Sequence, residues 1–149
     1  LDKQSLPSTA DLDEMRRVYE TNVFGVVAVI QAMLPLLGQS DRGRIVNMST
    51  GLGSLALTRG PEGPMAFSRL LAYNSSKTAL NAVTVQFANE LAETPIKINA
   101  ANPGLCATDL SGGKGQSPVA GAKVAISLAL LDADGPSGGL FGEGGPVPW

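Results

Sequence analysis

The sequence predicts an α/β protein in which helices pack on a parallel sheet. Two observations support this fold class. The predicted elements alternate as helix, strand, helix, strand, helix, strand. The strand candidates are short runs rich in β-branched residues, whereas the helix candidates are longer and have apolar residues three and four positions apart. A length of 149 residues fits about one domain.

The first helix is predicted over residues 11–37. Asp11 and Glu14 have the spacing of a capping box, which starts a helix by satisfying its first free N–H groups. Pro35 is expected to kink or fray the last turn, and Gly38 to end it. Asn22 interrupts the apolar face, and a buried amide there needs hydrogen-bond partners. The apolar residues of that face are Met15, Val18, Val26, Val29, Met33 and Leu37.

Two strands and two further helices follow. The strands are predicted over residues 44–49 and 96–100, the second ended by Asn-Pro-Gly. The helices are predicted over residues 73–93 and 118–131. Residues 51–64 are rich in Gly and Pro and are expected to form a loop without regular helix. Residues 132–149 hold six Gly and three Pro. They are expected to be a tail in which only Leu140 and Phe141 form a brief strand.

Composition excludes several functions. The net charge of -2 gives no electrostatic reason to expect nucleic acid or an anionic membrane as partner. His is absent and Cys106 is the single Cys, so His-based metal sites, His-containing triads and an internal disulfide are excluded; no metal is expected. The first seven residues lack the apolar core of a signal peptide, and the longest apolar stretch, Val26 to Ile30, is too short for a span. We therefore expect a soluble, cytoplasmic protein.

Two glycine-rich motifs are weak. Gly51 to Ala56 match G-x-G-x-x-A after a strand, but the following Gly and Pro residues prevent the helix that a dinucleotide fingerprint must open. Lys114 is followed by Gly115, where a phosphate-binding loop needs Ser or Thr. Both stretches are interpreted as flexible loops.

Tyr73 and Lys77 are the candidate catalytic pair. Their spacing of four residues places both side chains on one helix face, one turn apart. An ammonium about 5 Å from a phenol is expected to lower the phenol pKa by roughly two units at an effective dielectric constant of about 20. Such a phenol can give a proton to a carbonyl oxygen during reduction, or take one from an alcohol during oxidation.

Polar and turn residues follow both predicted strands. Ser49 and Thr50 end the first strand, and Pro103 and Gly104 end the second. Open parallel sheets bind ligands at this carboxyl edge. A hydroxyl of the first pair could hold a substrate oxygen, and backbone amides at the end of the second strand, with the Thr108 hydroxyl, could meet a cofactor.

Taken together, these motifs resemble the short-chain dehydrogenase/reductase family. The matching features, in chain order, are Asn-Val-Phe-Gly at Asn22, Arg-Ile-Val-Asn-Met-Ser-Thr-Gly at the first strand, Tyr-Asn-Ser-Ser-Lys, Asn-Pro-Gly, and Thr108-Asp109. The resemblance covers nearly the whole chain. It implies the C-terminal half of a doubly wound, Rossmann-type domain, so residues 1–149 are expected to form a single incomplete domain.

The resemblance also implies roles. Tyr73 becomes the general acid/base, while Lys77 lowers its pKa and binds the nicotinamide ribose. Asn22 supports Lys77 through a bound water, and Thr50 takes the place of the Ser that orients the substrate carbonyl, with Ser49 as the alternative. The residues implied to contact the nicotinamide end of the cofactor are Pro103, Gly104 and Thr108. The expected cofactor is NADP or NAD, and NADP is slightly favoured.

The sequence departs from the family in its missing first half, because the Gly-rich cofactor loop and the residue that selects NAD or NADP do not occur in it. The absence of a starting Met suggests part of a longer chain. We expect an NAD(P)-dependent oxidoreductase that interconverts a carbonyl and a secondary alcohol, acts on a small molecule and forms a dimer or tetramer. The alternatives are a non-catalytic binding or assembly module with this fold, or a chain that does not fold alone.

The segment 51–72 is longer than usual for the family, which suggests an enlarged wall or lid over the substrate. Its apolar residues could equally line a substrate pocket or pack the loop. They are Leu52, Leu55, Leu57, Met65 and Phe67.

Overall fold

The structure, a computed structural model, describes residues 6–149. Most of the N-terminal segment considered above for a signal peptide therefore lies outside the described residues.

Four strands form one sheet in the order β1-β2-β3-β4. β1 (Arg44–Met48) and β2 (Lys97–Ala101) are parallel, with Ile45 opposite Ile98, and β3 (Leu140–Gly142) continues the parallel order. β4 (Gly145–Val147) is antiparallel to β3. The parallel part of the sheet confirms the predicted fold class.

Helices cover both faces of this sheet. The helices are α1 (Leu12–Tyr19), α2 (Gly25–Leu37), α3 (Leu55–Thr58), α4 (Leu71–Glu90) and α5 (Pro118–Ala129). Side chains of successive strand residues point to opposite faces. Asn47 bonds to Thr84 of α4, whereas its neighbour Val46 packs against the cluster of Val124 and Leu128 on α5. α4 and α5 therefore lie on opposite sides, as in a doubly wound fold.

α1 and α2 are joined by a π turn, Glu20–Phe24, which the sequence did not predict. Asp11 caps α1 as expected, since its carboxylate accepts the N–H groups of Asp13 and Glu14 at 2.8 and 3.2 Å. Asn22 lies in this π turn. Its polar side chain is accounted for by a contact outside the turn, because its amide bonds to α4, as described below. The helix continues through Pro35 to Leu37.

Two expectations about loops are wrong in part. Residues 51–64 contain a 3₁₀ turn (Gly51–Gly53) and the single-turn helix α3, because Thr50 and Ser54 act as N-caps. Residues 132–149 are not only a tail. Residues 140–147 form the β3–β4 hairpin, whose first strand contains the predicted Leu140 and Phe141. Ser54 and Ala56 donate hydrogen bonds to the carbonyl oxygens of Pro148 and Trp149 at 2.6 and 3.0 Å.

The continuous helical stretch Leu12–Leu37 is long and apolar enough to cross a membrane by length and composition, contrary to the sequence-based expectation. The expectation considered uninterrupted apolar runs only. The mostly buried core helices of soluble proteins and signal sequences near the N-terminus pass the same test, and 11% of this window is buried. Here α1 and the π turn pack on α4, and α2 contacts β1, so this stretch forms a layer of the α/β fold.

Candidate active site

The carboxyl ends of β1 and β2 lie side by side and form the floor of the site. Met48 pairs with Ala101, and the Ser49 amide donates a 2.7 Å hydrogen bond to the carbonyl oxygen of Ala101. Thr50 and the Asn-Pro-Gly turn that begins at Asn102 therefore leave the sheet at the same edge, as the sequence predicts for a parallel pair.

Tyr73 and Lys77 lie on one face near the beginning of α4. The Lys77 Nζ atom is 5.7 Å from the centroid of the Tyr73 ring, and it donates a 2.8 Å hydrogen bond to the carbonyl oxygen of Met48. Lys77 thus connects α4 to the end of β1, because Met48 is the last residue of that strand and precedes Thr50 by two positions. The structure brings the predicted pair together and places it at the predicted edge.

The expected electrostatic effect on Tyr73 is not found. Burial raises the pKa of the Tyr73 phenol above its ordinary value of 10.0, and burial lowers the pKa of the Lys77 ammonium below 10.5. Loss of water disfavours the charged form of each group. The ammonium lies near the ring and bonds to a backbone carbonyl, so desolvation is the dominant effect on the phenol. At neutral pH Tyr73 is therefore a protonated donor.

Ser49 and Thr50 have different surroundings. Ser49 is 4% exposed and its hydroxyl donates a 2.5 Å hydrogen bond to the Oδ1 atom of Asn81 on α4. Thr50 is half-buried at the strand end, and its Oγ1 atom accepts the amide of Leu52 at 3.3 Å. Ser49 is thus held in a buried network, as strand alternation predicts, while Thr50 begins the turn next to the site.

Asn22 reaches α4 through Ser76. Its Nδ2 atom donates a 3.0 Å hydrogen bond to the Ser76 hydroxyl, which donates in turn to the carbonyl oxygen of Tyr73 at 2.8 Å. Ser76 is fully buried. Asn22 therefore fixes the π turn against the helical turn that holds Tyr73. The water-mediated support of Lys77 implied by the family resemblance stays a prediction.

Pro103, Gly104 and Thr108 lie in the loop after β2. The Pro103 carbonyl accepts the Gln116 side-chain amide at 2.6 Å, and Gly104 has a φ of 70°, a conformation that favours glycine. The Gly104 amide donates to the Asn102 side chain at 3.1 Å. The Thr108 amide likewise donates within the loop, to Cys106 and Ser111. The Gly104 amide thus bonds within the loop. Contact of a cofactor with Pro103, with the exposed Gly104 and with the Thr108 side chain stays a prediction.

Two important residues escaped the sequence analysis. Asn81 is 3% exposed, and its Nδ2 atom donates to the Gly53 carbonyl oxygen at 3.2 Å. Gly53 packs so closely on α4 that an added Cβ atom would lie 2.8 Å from the backbone carbon of Lys77. The sequence signal that could have identified Asn81 is its polar side chain next to the apolar Leu80, on the buried side of the helix.

The segment that begins at Leu52 forms an open groove of about 580 Å³ with the outer face of α4, and Pro7 and Tyr19 also line this groove. Leu52 and Leu55 line it, whereas Phe67 is 75% exposed. At 100° per residue, Ser75, Ala79 and Ala82 lie on the side of α4 opposite Tyr73 and Lys77. A role of this segment as a substrate wall stays a prediction.

The fold and the site together define a Rossmann-type α/β protein with a Tyr–Lys pair at the carboxyl edge of its sheet. The chain belongs to the short-chain dehydrogenase family, whose model matches residues 3–118.

Two relatives match most of this chain in sequence. The chain is 35% identical to the short-chain dehydrogenase anuI of Penicillium roqueforti over 149 residues, covering 96% of this chain and 58% of the relative. It is 33% identical to salutaridine reductase of Papaver bracteatum, covering 80% and 49%. The chain thus spans about half the length of these relatives.

Solved structures agree. Carbonyl reductase Sniffer of D. melanogaster has a TM-score of 0.81 at 25% identity, with 99% of this chain and 62% of that chain covered. An NADPH-bound carbonyl reductase from chicken fatty liver has a TM-score of 0.80 at 25% identity, with 100% and 62% covered.

Proposed function

We propose that this chain is the catalytic part of an NAD(P)-dependent oxidoreductase that interconverts a carbonyl compound and a secondary alcohol. The observation that carries the proposal is the position of Lys77, which lies 5.7 Å from the Tyr73 ring centroid and bonds to the end of the strand that leads to Thr50. The proton donor Tyr73 and the cation Lys77 thus lie on α4, the hydroxyl residue Thr50 follows β1, and the Lys77 hydrogen bond fixes this helix to this strand.

In the proposed reaction, Thr50 orients the substrate oxygen through its hydroxyl and Tyr73 donates its phenolic proton to that oxygen during reduction. The raised pKa of Tyr73 keeps this proton in place at neutral pH. Lys77 lies close enough to stabilise the phenolate that remains. In the oxidation direction Tyr73 takes the proton from the alcohol. The Asn22–Ser76 contact holds the backbone of this helical turn.

The residues present fit the nicotinamide end of the cofactor. The ammonium of Lys77, the phenol of Tyr73 and the hydroxyl of Thr108 are hydrogen-bond donors that suit ribose hydroxyls and a carboxamide, and Pro103 and Gly104 supply the adjoining surface. When bound, the cofactor would donate a hydride to the carbonyl carbon in the reduction and accept one from the alcohol carbon in the oxidation. We favour NADP over NAD, because the chicken carbonyl reductase that shares this fold is NADPH-bound.

The decisive experiment uses the full-length protein with NADPH or NADH and a panel of ketones and aldehydes. Tyr73→Phe removes only the phenolic hydroxyl, and we expect it to lower turnover about 10²–10⁴-fold. Tyr19→Phe makes the same chemical change on α1 and should keep wild-type turnover. Equal activity in the two variants would reject the role of Tyr73.

We further propose that the protein acts in the cytoplasm on a small molecule and assembles with copies of itself. Apolar side chains of α2 are exposed in the described part of the chain, including Val29 at 63% and Leu36 at 60%. Such surfaces are typical of contacts with other protein segments. The same surfaces support the alternative of a non-catalytic assembly module, which predicts a stable oligomer without carbonyl reduction.

A further inference from the structure

We propose that Asn81 is a positioning residue for the reaction, because it fixes the Thr50 turn on α4 and thereby sets the distance between Thr50 and Tyr73. This inference rests on the proposed function. Tyr73 and Lys77 belong to α4, whereas Thr50 belongs to the turn after β1, so the reaction requires a device that holds these two elements in register.

Asn81 connects three segments with its two polar atoms. Its Oδ1 atom accepts the Ser49 hydroxyl at 2.5 Å, and its Nδ2 atom donates to the Gly53 carbonyl oxygen at 3.2 Å. The Thr78 hydroxyl donates to the same oxygen at 3.0 Å. Thr50 therefore lies between Ser49 and Gly53, and side chains of α4 bond to both of these residues.

The turn itself transmits this constraint to Thr50. The Gly53 amide donates to the Thr50 carbonyl oxygen at 3.0 Å, and the Thr50 Oγ1 atom accepts the Leu52 amide. Gly53 rests directly on the backbone of Lys77, where an added Cβ atom would have no room. A buried network whose members are all bonded is rigid, because any unpaired polar group in it would be costly.

A matched polar pair lies nearby on the same two elements. Asn47 of β1 donates from Nδ2 to the hydroxyl of Thr84 on α4 at 2.9 Å, and Asn47 and Thr84 are 5% and 0% exposed. This pair links strand and helix as the Ser49–Asn81 pair does, but it makes no described contact with the turn of residues 50–53. Its loss should weaken the fold without moving Thr50.

The test compares Asn81→Leu with Thr84→Val in the full-length protein. Hydrogen exchange followed by mass spectrometry reports on the amides of Leu52 and Gly53, and steady-state kinetics report kcat and KM for ketone reduction. For Asn81→Leu we expect faster exchange in residues 50–54 and a fall in kcat of about 10²-fold, as small displacements of reacting groups produce. For Thr84→Val we expect a comparable loss of thermal stability with kcat within a factor of about three.

A conservative series guards against a variant that fails to fold. Ser49→Ala should reproduce part of the Asn81 effect, and Ser49→Thr, which keeps the hydroxyl, should restore kcat. Equal exchange and equal kcat in Asn81→Leu and Thr84→Val would overturn the inference. A wild-type protein that reduces no carbonyl compound would instead overturn the proposed function, and the exchange contrast would still decide whether Asn81 holds the turn.

Discussion

Lys77 on α4 donates a 2.8 Å hydrogen bond to the carbonyl oxygen of Met48, the last residue of β1. This contact connects the helix that bears the phenol to the strand end that bears Thr50. Lys77 therefore does two things: it holds α4 against β1, and it places a positive charge near Tyr73.

Replacing Lys77 should therefore impair both turnover and order at the strand end. For Lys77→Met we expect a fall in kcat of about 10²-fold, because the phenolate formed during reduction loses its neighbouring cation. Lys123→Met, an exposed position on α5, is the control and should leave kcat unchanged. Steady-state kinetics of both variants check this; equal rates would show that the charge at position 77 is dispensable.

The Tyr73 phenol should ionise above pH 10.0, because burial raises its pKa. The absorbance titration of the protein minus that of Tyr73→Phe isolates this group. Since the folded-state pKa exceeds the unfolded value, the contribution of Tyr73 to stability is fully present below the unfolded pKa and is lost as the pH rises through the folded one. A midpoint below 10.0 would mean that the Lys77 charge outweighs burial.

Gly53→Ala should separate the Thr50 turn from α4. The new Cβ atom would lie 2.8 Å from the Lys77 carbonyl carbon and 3.0 Å from its Cβ atom, so backbone has to shift. We expect a loss of about 1–3 kcal/mol in the free energy of unfolding and reduced turnover. Gly144→Ala, where nothing lies within 4 Å of an added Cβ atom, is the control. Urea denaturation of the two variants provides the measurement, and matching midpoints would contradict the contact.

Asn22→Leu should loosen the π turn. The substitution leaves the fully buried Ser76 hydroxyl without the Asn22 amide, which costs about 1–3 kcal/mol for a buried polar group. Thr21→Ala, at the exposed neighbouring position, should change stability by less than about 0.5 kcal/mol. Thermal unfolding compares them. A Tm for Asn22→Leu no lower than that for Thr21→Ala would show that Asn22 does not hold this turn.

The sequence was sufficient for the elements whose apolar spacing is regular. The first helix, the two parallel strands and the helix of Tyr73 all occur within a few residues of their predicted bounds. The parallel order of β1 and β2 then places Thr50 beside the Asn-Pro-Gly turn. Local periodicity and the edge rule for parallel sheets are enough to assemble this part of the site.

The remaining features depend on contacts between distant residues. The sequence predicts a brief strand at Leu140 and Phe141 of β3, whereas β4 contains Gly and Pro, so its local pattern indicates a loop, and only its pairing with β3 makes it part of the sheet. The raised pKa of Tyr73 depends on how much protein surrounds the phenol, which spacing to Lys77 does not reveal. Asn81 is recognisable as important only once Ser49 and Gly53 are seen to share it.

The groove on the outer face of α4 lies away from the reacting groups. Thr58 and residues 68–70 line it, while Tyr73 and Lys77 lie on the opposite face of the helix. Met65, between these lining residues, packs instead against Gly51, directly after Thr50. Changes of length at the exposed residues 59–62 should therefore disturb the acid–base pair least, and a designer would graft new sequence there first.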